Sequence, residues 1–138
     1  MRESVAIVVV LYKAEMSVYH ERLLEDEMVT LVVVDNTPDR DLALKKDRLI
    51  YVPLQRNMGI ATAQNEGIRQ AECLGCDYII FFDQDSKIPE RYSEGIIEEY
   101  KRIEQLIPNL FLLGPTIING RTEEEYKSTI HKDIWMTE

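Results

Sequence analysis

Apolar and polar positions divide this chain into two kinds of segment. Val5–Leu11, Thr30–Val34, Leu49–Leu54 and Tyr78–Phe82 are nearly continuous apolar runs rich in β-branched or aromatic residues. That is the pattern of strands buried on both faces, because a half-exposed strand alternates with polar positions. Pro53 places the third run at a sheet edge or at a strand's end. Between the runs the period lengthens. Ser17–Leu24, with Val18, Leu23 and Leu24 as its apolar positions, predicts a short amphipathic helix. Ile60–Leu74 puts Ile60, Ala63, Gly67, Ile68, Ala71 and Leu74 on one face and meets Gly75 as a terminator. Gly67 inside this helix costs about 1 kcal/mol relative to Ala, which predicts close packing against the sheet. Asp39–Arg48 is charged and reads as solvated loop or frayed helix. A long helix from Pro89 to about Leu106 and a fifth strand at Leu110–Leu113 follow. Asn119-Gly120 is placed to turn a hairpin between Pro115–Ile118 and a weak strand near Ser128–Ile130.

Strands alternating with helices in this order predict an α/β fold, with a mostly parallel sheet and helices on both faces. The polar residues then fall in a telling place. Tyr12-Lys13, Asp35-Asn36, Arg56-Asn57 and Asp83-Gln84-Asp85 each directly follow a strand, so all lie along one edge of a parallel sheet. In open α/β sheets, ligands bind outside those carboxyl ends. Asp83 and Asp85 sit two apart, so on an extended chain both carboxylates point to the same side. Two carboxylates, completed by waters and substrate phosphates, are how Mg²⁺ or Mn²⁺ is held beside a phosphorylated ligand. The plainer reading makes Asp83, Asp85 and Ser86 turn and capping residues ahead of the next helix. Four polar clusters on one edge favour a site. An EF-hand is excluded, since Ile88 stands where that loop needs glycine and a strand precedes it.

Composition narrows the choice. The chain has 138 residues, 45% hydrophobic and 30% charged, with a formal net charge of −9. One domain of that charge, with no basic block, is a poor partner for nucleic acid or an anionic membrane. It also needs local positive charge to hold a diphosphate, and a metal on Asp83 and Asp85 would supply it. Val5–Leu11 is too short to span a membrane, and no cleavage signal follows it, so a cytoplasmic protein is expected. Cys73 and Cys76 close a helix rather than open one and have no further ligands nearby, so they read as reduced thiols. The Leu11-Tyr12-Lys13-Ala14 turn lacks the glycines of a dinucleotide site, and no G-x-x-x-x-G-K-[ST] loop occurs. A phosphatase with an aspartate nucleophile would carry its D-x-D after the first strand, not the fourth.

The segments VVVLYK, VVVDN, NMGIATAQNEGI and DYIIFFDQDS, in that order, resemble the nucleotide-binding half of glycosyltransferases of family 2. Those enzymes have the Rossmann-like GT-A fold of nucleotide-diphospho-sugar transferases. The last two segments are similar in particular to bacterial rhamnosyltransferases of surface-polysaccharide assembly. The resemblance covers about residues 5 to 118. It implies metal-dependent, inverting transfer from a nucleotide-diphosphate sugar, dTDP-L-rhamnose or a UDP-sugar, to a polysaccharide or lipid-linked sugar. The work would be done in the cytoplasm, at the inner face of the membrane. Residue by residue, it implies that Leu11, Tyr12 and Asp35 contact the nucleobase, with Asp35 accepting from a ring N–H. Asn57, Gly59 and Asn65 would line the base and ribose side. Asp83 and Gln84 would face the nucleotide sugar, and Asp83 and Asp85 would hold Mg²⁺ or Mn²⁺, Asp85 as the direct ligand. The capping alternatives for Asn57 and a surface position for Asn65 stay open.

Members of that family are much longer and carry a carboxylate base downstream of every segment matched here. Glu123, Glu124, Glu125 and Asp133 match no motif and read as a solvated face. The chain is therefore expected to be a partial GT-A domain covering the donor half, or a stand-alone module that binds a nucleotide sugar without transferring it. A metal-dependent phosphohydrolase using Asp83 and Asp85 is a third reading. An uncovered donor half would also be prone to self-association as a homo-oligomer.

Overall fold

A computed structural model of the chain describes residues 3–115 and 121–124. The elements run β1 (Val5–Leu11), α1 (Val18–Leu23), β2 (Val29–Asp35), β3 (Leu49–Pro53), α2 (Ile60–Leu74), β4 (Tyr78–Phe82) and α3 (Tyr92–Glu104). The chain divides into two compact units, Met1–Ile97 and Glu98–Glu138. The first contains the sheet, in the order β3-β2-β1-β4 with every neighbouring pair parallel.

Every residue of β1 is buried, as its unbroken apolar run requires, because it lies inside the sheet and is covered on both faces. The pleat sorts its side chains. Val8 and Val10 join Val32, Val34 and Ala63 of α2 on one face. Val5, Ile7, Val9 and Leu11 join Val29, Leu31 and Val33, Leu23 and Leu24 at the end of α1, and Ile88 on the other. Each such side chain is worth about 1.5–3 kcal/mol on full burial, so the central strands are the firm floor beneath whatever sits at their ends.

Helix α2 lies on this floor through small residues alone. Ala63, Gly67 and Ala71 are its buried positions. A Cβ on Gly67 would stand 2.3 Å from Val8 Cγ1, which accounts for the glycine predicted to pack closely. Gly75 ends the helix in the left-handed conformation at φ 66°, as its place after Leu74 predicts. Ile60 and Leu74, expected on the apolar face, are exposed at the two ends.

Two expectations need correcting. The run Tyr78–Phe82 is not buried on both faces: β4 is an edge strand paired to β1, and Phe81 is exposed. Leu110–Leu113 is not a strand. No ladder partner meets it among the described residues, the Leu110 carbonyl accepts from the Tyr100 hydroxyl instead, and Phe111 is 89% exposed. The hairpin expected around Asn119-Gly120, with Glu125 and Asp133, lies outside the described residues. Glu123 and Glu124 are exposed, as a solvated face requires.

Candidate functional site

Register brings the strand ends level. Leu11 pairs with Asp35, and Asp35 with Pro53, so the loops after β1, β2 and β3 leave the sheet side by side. Phe82 pairs with Val9, which starts the loop after β4 lower and lets it climb past β1. Polar groups in these loops then bond to one another. The Tyr12 N–H donates to Gln84 Oε1 at 2.8 Å, joining the β1 and β4 loops. The Lys13 N–H donates to Thr37 Oγ1 at 2.8 Å, joining β1 to β2. Asn36 Nδ2 donates to Asn57 Oδ1 at 3.1 Å while its Oδ1 accepts from the Met58 N–H at 2.7 Å, joining β2 to β3. Four loops that are far apart in sequence thus form one cross-bonded rim.

The carboxylate of Asp35 anchors this rim from below and is fully buried. Arg40 grips it in a fork, Nε to Oδ2 at 2.6 Å and Nη2 to Oδ1 at 2.8 Å. The Tyr51 hydroxyl donates to Oδ2 at 2.6 Å and the Thr37 N–H to Oδ1 at 3.0 Å. Burial alone would raise the pKa of Asp35, but hydrogen bonds from Arg40, Tyr51 and Thr37 outweigh it and hold the carboxyl below its usual range. Burial and the bond to Asp35 push the Tyr51 phenol up to about 12. Arg40 Nη2 also donates to the Ala14 carbonyl at 2.7 Å. The charged stretch expected to be solvated is therefore pinned at Arg40, and again at Leu42, whose N–H donates to the Tyr51 hydroxyl.

Beyond β4 the chain turns at once, and the Ser86 N–H donates to the Asp83 carbonyl at 3.1 Å. Asp83 and Asp85 are exposed and Gln84 between them is half-buried. The carboxylates share a side through a tight turn rather than an extended strand. Both line an open cavity of about 480 Å³. Its polar wall is completed by Tyr12, Asn36, Asn57 and Gln64, and its apolar wall by Val8, Val10, Ile60 and Phe82. No Lys or Arg is among these lining residues. Gly59 lines it too, at φ 81°, a conformation that favours glycine, with no side chain capping the helix that starts after it. Among the described residues no group of three or more His, Cys, Asp or Glu side chains is placed to hold a metal.

Of the residues singled out in the sequence, Tyr12, Asn57, Gly59, Asp83, Gln84 and Asp85 meet at this cavity. Three others do not. Leu11 points into the core and offers only its carbonyl, to the Asn36 N–H. Asn65 lies one helical step from Gln64 and faces a separate groove with Arg56 and Arg69. Asp35 has no free acceptor for a base N–H, since four donors already occupy its two oxygens. Asn57 is not a helix cap, that position being Gly59; its Oδ1 instead accepts from the Gly59 N–H and from Asn36. Arg40, Gln64 and His20 carry no motif that sequence reasoning could have found.

Comparison with known proteins bears on this geometry. The family model described as glycosyl transferase family 2 matches residues 10–126. A curated relative, the dTDP-rhamnosyl transferase RfbF of Shigella flexneri, is 35% identical over 97 residues, covering 67% of this chain and 33% of that protein. The chain thus spans about a third of that relative's length. No solved structure gives a significant match.

Proposed function

This chain belongs to glycosyl transferase family 2, and from that premise we propose that the cavity at its strand ends binds the nucleotide-diphosphate sugar donor. The observation that carries the reading is the pair Asp83 and Asp85 on one turn, in a cavity with no basic side chain on its wall. A cation held by the two carboxylates would supply positive charge that the wall residues lack, beside that of Lys13, whose Nζ lies 5.2 Å from the Tyr12 ring centroid. The residues fit Mg²⁺ or Mn²⁺: two exposed carboxylates and no third ligand leave positions for diphosphate oxygens and water. They do not fit a closed structural zinc site, which needs four ligands.

In glycosyl transfer an acceptor hydroxyl attacks the anomeric carbon, and the bond from that carbon to the diphosphate oxygen breaks. A divalent ion supplies neutralisation of the charge that develops on the departing diphosphate. The chain's own residues hold and orient. Asp83 and Asp85 hold the ion. Gln84 lines the cavity and is fixed through Oε1 by the Tyr12 N–H, which leaves its amide N–H groups as donors. Tyr12 lines the cavity with a ring over which Lys13 Nζ stands 5.2 Å from the centroid, and Gly59 lets backbone approach the ligand closely. Among the described residues the cavity wall has no third carboxylate to act as base towards the acceptor, so the function proposed for these residues is donor binding.

The relative's name, a dTDP-rhamnosyl transferase, supports dTDP-L-rhamnose as the donor we propose, a UDP-sugar is the alternative, and the proposed acceptor is a surface polysaccharide or lipid-linked sugar. A panel of nucleotides with and without Mn²⁺, read by thermal shift, tests this. At one hundred times its dissociation constant a ligand adds about 2.7 kcal/mol, a rise of roughly 5–10 °C in a domain of this size. dTDP and UDP should raise the midpoint more with metal than without it. Stabilisation by ATP or NAD and by neither pyrimidine diphosphate overturns the proposal. Acceptor-free cleavage of a nucleotide sugar within its diphosphate, giving nucleoside monophosphate and sugar phosphate, would mark a phosphohydrolase instead.

A further inference from the structure

His20 is a fully buried histidine behind the cavity. It occupies the third position of α1, where Ser17 Oγ accepts from its backbone N–H at 3.4 Å and its own Nδ1 accepts from the Ser17 N–H at 3.0 Å. This reciprocal cap is ordinarily made with Glu or Gln at that position. A histidine does the same with one ring nitrogen and has a second left over. Because Nδ1 accepts a main-chain N–H, it carries no proton, and in the neutral ring the hydrogen is on Nε2. Burial pushes the His20 pKa down, with the Asp83 main-chain carbonyl pulling the other way.

Nε2 is the buried side-chain polar atom left without a hydrogen-bond partner among the described residues. The Asp83 main-chain carbonyl is the backbone group close enough to act on the imidazole, yet no hydrogen bond of normal geometry reaches Nε2. A buried donor and an acceptor this close without a completed bond are poised for a small movement, since orphaned buried N–H groups are rare and costly. The turn Asp83–Ser86 carries the two exposed carboxylates and is tied to the β1 loop through Gln84, whereas α1 is fixed by Leu23 and Leu24 in the core, so a shift falls on the turn.

We infer that His20 is a positioning residue for the Asp83–Ser86 turn: its Nε2–H closes onto the Asp83 carbonyl when a metal-bound diphosphate draws the turn in, and so sets where both carboxylates stand. The inference rests on the donor-binding reading above. Capping the helix requires only Nδ1, so the two roles of the ring are separable. In His20→Asn the amide oxygen takes the place of Nδ1 and keeps the cap, but nothing reaches Asp83. In His20→Gln an amide N–H is restored near the place of Nε2.

The test is titration of wild type and both variants with dTDP, in the presence and absence of Mn²⁺. His20→Asn should lose about tenfold in affinity for dTDP with Mn²⁺, in line with the loss of an outer-shell partner, and keep its affinity for dTDP alone. His20→Gln should stay within about threefold of wild type, a small change beside that loss. Equal affinity of His20→Asn and wild type with Mn²⁺, or a parallel loss with and without it, overturns the inference and leaves the donor-binding reading intact. A wild type whose dTDP affinity ignores Mn²⁺ overturns both. A measurement without substitution covers the case in which a variant does not fold: the Nε2–H proton resonance of wild-type His20 should move downfield when Mg²⁺ and dTDP are added together. An unmoved resonance at saturation overturns the inference.

Discussion

Arg40→Met isolates what the buried carboxylate of Asp35 depends on. Arg40 supplies two of the four donors on that carboxylate, and its side chain keeps 20% of its exposure while that of Asp35 keeps none. Breaking a fully buried pair by removing one partner costs about 3–5 kcal/mol, and partial access of water to the vacated place brings the expectation to about 3 kcal/mol. For 138 residues an unfolding entropy of about 2.1 cal/mol/K per residue converts this into a fall of about 10 °C in Tm. The pH dependence supplies a second check with a definite sign. In wild type the Asp35 pKa is lowered, so its contribution is fully present above the ordinary carboxylate value of about 4 and is lost as pH falls below it. In the variant the lowering by Arg40 is gone, so that pKa lies higher than in wild type and protonation costs less. Thermal unfolding at pH 7 and at pH 4 should therefore show the gap between the proteins shrinking with acid. A variant melting within about 2 °C of wild type at pH 7, well short of that fall, or a gap that widens with acid, refutes the argument.

Asp85→Ala should leave Tm nearly unchanged, because the residue is exposed, while Mn²⁺-dependent dTDP affinity falls at least about tenfold, or 1.4 kcal/mol; calorimetric titration checks both halves. Gly67→Ala places a carbon 2.3 Å from Val8 Cγ1, and overpacking of about 1–3 kcal/mol against a helix-propensity gain of about 1 kcal/mol leaves a net loss in chemical denaturation. A gain in stability would mean the helix can lift off the sheet freely. Phe111 and Leu112 are strongly exposed, so light scattering should detect self-association at high concentration that Phe111→Ser with Leu112→Ser reduces, and a strictly monomeric wild type would contradict this.

The layered core was legible because Val5–Leu11 and Thr30–Val34 leave no polar position for a solvated face, and parallel topology followed from their alternation with helices. The same logic failed for Tyr78–Phe82 and Leu110–Leu113. An apolar run records what a segment could bury, not whether neighbours exist to cover it or pair with it. At the site, the place of Asp83 and Asp85 at the cavity was readable because a strand end is a local feature. Asp35 was readable as a strand-end acid but not as a satisfied one. Its partners Arg40 and Tyr51 stand 5 and 16 residues away, in segments without a common period. Asn65 and Gln64 differ by a single 100° step around α2, finer than a motif resolves. His20 looked like one more polar residue on a short helix, and only the fold brings Asp83 to its ring.

The absence of Lys and Arg from the cavity wall has a kinetic side. A chain carrying a formal −9 repels a free nucleotide diphosphate as the two diffuse together, and the repulsion extends over about 10 Å at 0.1 M salt. Adding inert salt should then speed the encounter of free dTDP with the protein rather than slow it, the reverse of what a basic phosphate site gives. A divalent ion arriving first, or arriving already joined to the nucleotide, removes much of that repulsion. Stopped-flow association rates should accordingly rise with ionic strength when metal is withheld and flatten when Mg²⁺ is present, so that order of arrival is set by long-range charge before any contact is made.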